Sequence, residues 1–76
     1  RFRVIFRECV TSIDAAQNLI VIKTMPGLGA AAGANIDALH IPAVLGSLSG
    51  DDTTLVVMRD SESAMEFCAE IRKMLE

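Results

Sequence analysis

The sequence predicts an α+β domain: a four-stranded antiparallel sheet with two helices on one face, its elements in ββαββα order. Three observations indicate this fold class. Four apolar segments, grouped in two pairs, have the alternating or β-branched composition of strands, and two other segments have apolar residues at helical spacing. Each strand pair is followed by one helical segment. The 76 residues are enough for one domain, 1–76.

The first strand pair is predicted from the start of the chain. Apolar residues alternate with arginines over 1–7, which is the period of two expected of a half-exposed strand. The alternation slips over 5–9 and resumes over 9–13. A polar break at 14–18 separates this strand from the run 19–22, which is apolar and rich in β-branched residues, as is typical of a central strand.

A first helix is predicted over 28–40, after Met25-Pro26-Gly27 has ended the second strand. Its first turns consist mainly of glycine and alanine. These residues include helix-weakening glycines, but they let another helix or a ligand approach the backbone closely. Pro42 stops the helix.

The second strand pair is predicted over 44–48 and 53–58, on either side of the turn 49–52, where glycine and aspartate are typical turn formers. Asp60 is predicted to cap the last helix. The apolar stripe of that helix is predicted to pack on the sheet. It consists of Ala64, Phe67, Cys68, Ile71, Met74 and Leu75.

Composition argues against several kinds of protein. Ten acidic against seven basic residues give a formal charge of −3, so this chain is not expected to grip a nucleic-acid backbone. No apolar run is long enough to span a bilayer and no signal peptide is recognisable, which predicts a cytoplasmic protein. Cys9 and Cys68 lie in apolar segments and are predicted to be reduced and buried. A hydrophobic content of 51% predicts association with copies of the same chain.

The segment Gly50-Asp51-Asp52-Thr53 carries the densest chemistry. Two adjacent carboxylates on a turn could bind a metal ion, a guanidinium or an ammonium, although aspartates in a turn more often only form the turn. The segment lacks the ligand spacing of a calcium loop. A third carboxylate, Asp37, lies on the polar side of the first helix and, taken alone, is solvated surface.

The helix start at 25–30 is the second candidate. Its backbone amides could hold a carboxylate, and a plain strand-to-helix turn is the equal alternative. Carboxylates for cationic groups and amides for an anion together fit a zwitterion such as L-arginine. His40, the one histidine, is interpreted as a helix-end or solvated residue, and no combination of residues supports an enzyme.

Four segments resemble a known family. They are Lys23-Thr24-Met25-Pro26-Gly27, Gly33-Ala34, Ile36-Asp37 and Leu45-Gly46-Ser47-Leu48-Ser49-Gly50-Asp51-Asp52-Thr53-Thr54-Leu55. Their order and spacing are similar to those of the C-terminal domain of arginine repressors over nearly the whole chain. The Gly-Asp-Asp-Thr segment is the most specific part of the match.

The resemblance implies an effector-binding and hexamerisation domain of an arginine-responsive regulator of arginine metabolism. Family members form hexamers as two stacked trimers and bind L-arginine, the co-repressor ligand, between the trimers. A separate N-terminal winged-helix domain binds operator DNA. We expect that domain to lie outside this chain, which begins with arginine rather than methionine. No metal or other cofactor is expected.

The resemblance also implies which residues bind arginine. Asp51 and Asp52 match the acidic pair, and Asp51 would reach the guanidinium across the trimer–trimer interface. Asp37 matches the aspartate that holds the amino-acid end of the ligand. Ser47 and Ser49 match residues that line the pocket.

Ala30 is a departure from the family pattern. Many members have a glutamine at this position, so an amide that would hydrogen-bond the ligand or a neighbouring subunit is missing. Two other readings stay open. One is an oligomerisation module whose effector site has decayed, which Ala30 supports, and the other is a sensing domain for a different amino acid.

Overall fold

The computed structural model describes the backbone of residues 2–76 and the side chains of residues 4–76. The elements are α1 (Phe2–Cys9), β1 (Val10–Ala16), β2 (Leu19–Thr24), α2 (Gly29–Ala38), β3 (Val44–Ser49), β4 (Thr53–Met58) and α3 (Ser61–Leu75). The strands form one antiparallel sheet in the order β1-β2-β4-β3. The predicted α+β class and the ββαββα order from β1 onward are confirmed, and β2 is central as predicted.

The N-terminal segment differs from its prediction. Residues 2–9 form helix α1, so the prediction of a strand there was wrong. In a strand, Val4 and Phe6 would share one face, but Val4 is 56% exposed and Phe6 is fully buried. Phe6 and Cys9, three residues apart, both face the core. Arg1 and the side chains of Phe2 and Arg3, on which the predicted alternation also depended, lie outside the described residues.

The first hairpin is also tighter than predicted. β1 continues to Ala16, which leaves only Gln17 and Asn18 as turn residues instead of the whole polar break. Gln17 has a φ of 56°, in the left-handed region that two-residue hairpins require. Asn18 fastens this turn to the end of β4, because its side-chain Nδ2 donates to the Met58 carbonyl at 3.2 Å.

The core lies between one face of the sheet and the helices. Alternate residues of the two central strands, such as Ile20 and Val56, are fully buried against Ile36 of α2 and Ile71 of α3. The alternation confirms that α2 and α3 cover the same face.

Within residues 2–76, no helix covers the other face of the sheet. Cross-strand register aligns its apolar side chains, and Leu48 is 75% exposed. We call this surface the open face. It consists of Leu19, Val21, Leu48, Leu55 and Val57.

Both cysteines are buried and free, as predicted. Burial raises the pKa of the Cys68 thiol, which keeps it protonated at neutral pH. Within the part of the chain that the structure describes, no helix is long and apolar enough to cross a membrane.

Helix α3 begins at the cap that the sequence predicts. The Asp60 carboxylate accepts a hydrogen bond from the Ser63 amide at 2.7 Å, and this bond holds the pKa of Asp60 below its usual value. Because the charged form is favoured in the folded state, the contribution of Asp60 to stability is present above about pH 4 and is lost as the pH falls through the lowered pKa.

We therefore expect Asp60→Ala to lower the melting temperature at neutral pH. The gap from the unsubstituted chain should narrow as the pH falls below about 4. Asp60→Asn, which keeps a cap acceptor, is the control and should lose less stability at neutral pH. Thermal melts followed by circular dichroism measure both effects. A gap that is independent of pH would rule out the charged cap as its source.

Candidate functional site

The β3–β4 connection presents two carboxylates to solvent. We call residues 50–52 the acidic turn. Its backbone is closed by the Gly50 amide, which donates to the Thr53 carbonyl at 2.7 Å. Asp51 and Asp52 are both exposed. The turn therefore carries two negative charges that a ligand in solvent can reach.

The main chain of the acidic turn is tied to two other elements. The Asp52 carbonyl accepts from the Thr24 amide at the end of β2, at 2.8 Å. The Asp51 carbonyl accepts from the Gly29 amide at the start of α2, at 2.9 Å. No side chain caps α2, whose N-cap residue is Leu28, so the turn carbonyl takes part of that role. The backbone of the turn is held in place while its carboxylates stay accessible.

This arrangement corrects one expectation about the helix start. The Leu28 amide donates to the Met25 carbonyl at 3.1 Å, and the Gly29 amide donates to Asp51. The prediction that free amides here hold a ligand carboxylate is wrong for these two groups. Nothing in the local sequence indicated that a turn more than twenty residues away would occupy the Gly29 amide.

The two aspartates of the turn differ in their surroundings. Asp52 lies 3.8 Å from the Lys23 ammonium and accepts a hydrogen bond from the Thr53 hydroxyl at 3.0 Å. Lys23 Nζ also donates to Thr53 Oγ1 at 2.7 Å. Among the described residues, no hydrogen bond or ion pair engages the Asp51 carboxylate. Of the two carboxylates of the acidic turn, that of Asp51 is therefore the one without a partner among the described residues.

Asp37 and Ser47 form a second polar group. Ser47 on β3 donates its hydroxyl to Asp37 Oδ1 at 2.9 Å, which joins the end of α2 to the sheet. Asp37 lies eight residues after Gly29, a distance of about 12 Å along a helix. The predicted site residues of one chain thus form two groups: the acidic turn with Ser49 beside it, and the Asp37–Ser47 pair.

Ser49 is exposed, and its hydroxyl contacts a buried threonine. Thr54 is fully buried and donates to the Gly29 carbonyl at 2.7 Å, while Ser49 Oγ lies 3.0 Å from Thr54 Oγ1. A hydroxyl has one proton, so the donor between the two must be Ser49. Ser47 and Ser49 have therefore both donated their protons within the protein, and each offers a ligand only acceptor lone pairs.

Sequence comparison places the chain in a family. Residues 6–73 match the family model described as "Arginine repressor, C-terminal domain". The chain belongs to this family. Among similar curated proteins, the arginine repressor of Acetivibrio thermocellus is 39% identical over 97% of this chain and 48% of its own length. Those of Alkaliphilus oremlandii and Thermotoga maritima are each 44% identical, over 95% and 92% of this chain and 48% and 46% of their own lengths.

The chain thus spans about half the length of the arginine repressors that it matches. The match confirms the resemblance that the sequence motifs indicated. The sixth predicted site residue, Ala30, is exposed in the first turn of α2 and has only a methyl side chain.

Sequence reasoning assigned no role to two residues of this arginine repressor domain, Lys23 beside the acidic turn and Thr54 on the strand that follows it. Thr54 looked like an ordinary strand residue, and Lys23 lies far from the turn in sequence. The glycines at the start of α2 were predicted to allow a helix or a ligand to approach closely, and at Gly29 the structure places the acidic turn there.

Within residues 4–76, no group of three histidine, cysteine or acidic side chains is arranged to hold a metal ion. His40 is exposed and follows α2 with a φ of 52°, its amide donating to the Asp37 carbonyl at 3.2 Å. The interpretation of His40 as a helix-end residue is confirmed.

Proposed function

We propose that this chain is the effector-binding and hexamerisation domain of an arginine-responsive transcriptional regulator of arginine metabolism. The observation that carries the proposal is the Asp51 carboxylate, which is exposed, unpaired among the described residues and mounted on a turn with a fixed main chain. A guanidinium pairs with such a carboxylate through two parallel hydrogen bonds. The family match supports arginine as the source of that guanidinium.

The polarity of the lining also fits arginine. Asp37, Asp51 and the oxygens of Ser47 and Ser49 can only accept hydrogen bonds from a ligand. Guanidinium and α-ammonium groups can only donate. We assign the guanidinium to Asp51, with Asp52 adding negative charge, and the amino-acid end to Asp37.

The separation of these two groups favours a site shared between subunits. Because Asp37 and the acidic turn of one chain are about 12 Å apart along α2, the two ends of one ligand are more easily held by different chains. Arginine would then neutralise aspartates that otherwise repel one another across the trimer–trimer interface. A ligand that binds only the assembled state stabilises it by mass action.

Self-association has independent support in the open face. Its five apolar side chains form a continuous surface on a small domain, and such surfaces are usually covered. We propose a trimer that pairs into a hexamer. Operator DNA would be bound only by a winged-helix domain outside this chain, in agreement with the net charge of −3. The parent protein would be a cytoplasmic regulator without enzymatic activity, and arginine its only small ligand.

Calorimetric titration with L-arginine and with citrulline tests the proposal. Citrulline has nearly the same shape but lacks the guanidinium charge, so it should bind at least about tenfold more weakly. Equal affinities would contradict the role of Asp51. Binding of neither ligand would favour the second candidate, an oligomerisation module with a decayed site, for which Ala30 is the supporting observation.

Ala30→Gln should strengthen arginine binding, because it supplies the amide that many family members have at this exposed position. One added hydrogen bond to a charged group contributes about 1.5–3 kcal/mol, or roughly tenfold or more in affinity. Ala31→Gln places the same side chain at the next exposed position and is the control. Equal affinities for all three proteins would show that residue 30 does not reach the ligand.

A further inference from the structure

Helix α2 lies unusually close to the acidic turn at one residue, Gly29. A Cβ at this position would overlap the Gly50 carbonyl oxygen and lie 3.0 Å from the Gly50 carbonyl carbon and 3.1 Å from that of Asp51. Real Cβ atoms essentially never come so close to backbone atoms. The turn could accommodate a side chain at residue 29 only by moving its main chain away from the helix.

Backbone conformation does not account for this glycine. Among the glycines, only Gly27 has a positive φ, at 84°, so residue 29 has a conformation that alanine can adopt. Alanine is also the better helix former. What requires a glycine at 29 is therefore the contact with the turn.

Two hydrogen bonds depend on the same close approach. The Gly29 amide donates to the Asp51 carbonyl at 2.9 Å, and the Gly29 carbonyl accepts from the buried Thr54 hydroxyl at 2.7 Å. One residue of α2 thus holds both the tip of the turn and the strand that follows it. The Asp51 carbonyl and the Asp51 carboxylate belong to one residue, so a shift of the first displaces the second.

We propose that Gly29 is a positioning residue for ligand recognition: it allows the acidic turn to pack against α2 and thereby fixes the position of the Asp51 carboxylate. The inference rests on the proposed function, since it concerns the same site. Gly29 touches no ligand itself. Its effect is on the discrimination between a guanidinium and a neutral isostere, which depends on the placement of Asp51.

Gly33 supports the same packing one helical turn later. A Cβ at Gly33 would overlap Ser49 Oγ, which is held by its bond to Thr54. Turning Ser49 aside would break that bond and leave the buried Thr54 hydroxyl without its donor. Because neither glycine has a side chain, the β3–β4 hairpin can pack closely against α2 at both positions.

The test is Gly29→Ala, with Ala31→Gly as the matched control. Gly29→Ala improves helix propensity and should displace the turn, whereas Ala31→Gly lowers helix propensity at an exposed position away from the turn. Calorimetric titration with arginine and citrulline gives the affinity ratio of each protein. We expect Gly29→Ala to bind arginine at least tenfold more weakly and to lose most of its preference over citrulline. Ala31→Gly should keep the ratio of the unsubstituted chain.

The outcomes separate this proposal from the proposed function. If the unsubstituted chain prefers arginine and folded Gly29→Ala keeps the same affinity ratio, the positioning role is wrong while the arginine site stands. If the unsubstituted chain binds neither ligand, the function itself fails. If Gly29→Ala does not fold, the affinity ratio of Thr54→Val tests the positioning role instead. This substitution removes the hydroxyl that donates to the Gly29 carbonyl and adds no bulk. An unchanged ratio in Thr54→Val would also overturn the proposal.

Discussion

Asp51→Asn is expected to abolish the effect of L-arginine on assembly. Asparagine keeps the size of the side chain but removes the charge that pairs with the guanidinium. Its amide NH2 group also places a hydrogen-bond donor where the carboxylate had a second acceptor. Truncating one partner of a hydrogen-bonded charge pair at an interface costs about 2–5 kcal/mol, which corresponds to a loss of roughly 30-fold or more in affinity. Calorimetric titration, with the oligomer mass measured on the same samples, gives both quantities.

Asp52→Asn is the matched control for this prediction. The Asp52 carboxylate already has Lys23 and Thr53 as partners within the chain, so it is less available to pair with an added cation. We expect a smaller loss of arginine affinity and a preserved response of assembly. Arginine-dependent assembly that survives in Asp51→Asn would exclude Asp51 as the guanidinium partner.

Phe6→Ala should lower the free energy of unfolding more than any of the other substitutions. Phe6 is fully buried between α1 and the core. Truncating a buried phenylalanine costs about 3–5 kcal/mol, and a small domain has about 5–15 kcal/mol in total. At about 4–8 °C per kcal/mol for a domain of this size, the melting temperature should fall by about 12 °C or more.

Val4→Ala distinguishes the helix from a strand. In helix α1, Val4 is exposed, so its truncation should change the melting temperature little. In a strand, positions 4 and 6 would share a face and both truncations would be costly. Similar losses in Val4→Ala and Phe6→Ala would contradict the helical assignment of residues 2–9.

The sequence predicted the sheet and α3 correctly because their signals are local. The β-branched runs at 19–22 and 53–58 form the two central strands, and Asp60 caps α3 where the pattern placed it. At the N-terminus, two periods overlap in eight residues: residues 2, 4 and 6 alternate, while residues 2, 6 and 9 have helical spacing. So short a segment does not decide between them, although the slip over 5–9 marked the conflict.

The candidate site was predictable only in part, for a physical reason. The carboxylates and serines came from the family motif, and the structure joins Ser47 to Asp37 directly. The contacts that hold the turn link residues far apart in the chain, such as Thr54 with Gly29. Residue spacing along one chain carries no signal for such tertiary contacts, so the different surroundings of the Asp51 and Asp52 carboxylates could be seen only in the fold.

The mass of the assembly with and without L-arginine shows whether arginine stabilises a hexamer. Static light scattering after size exclusion measures it on the unsubstituted chain, whose mass is 8.2 kDa. We predict a mass that rises with arginine concentration to that of six chains, while citrulline at the same concentrations has no such effect. A mass that arginine leaves unchanged at saturating concentration would contradict an arginine-stabilised hexamer.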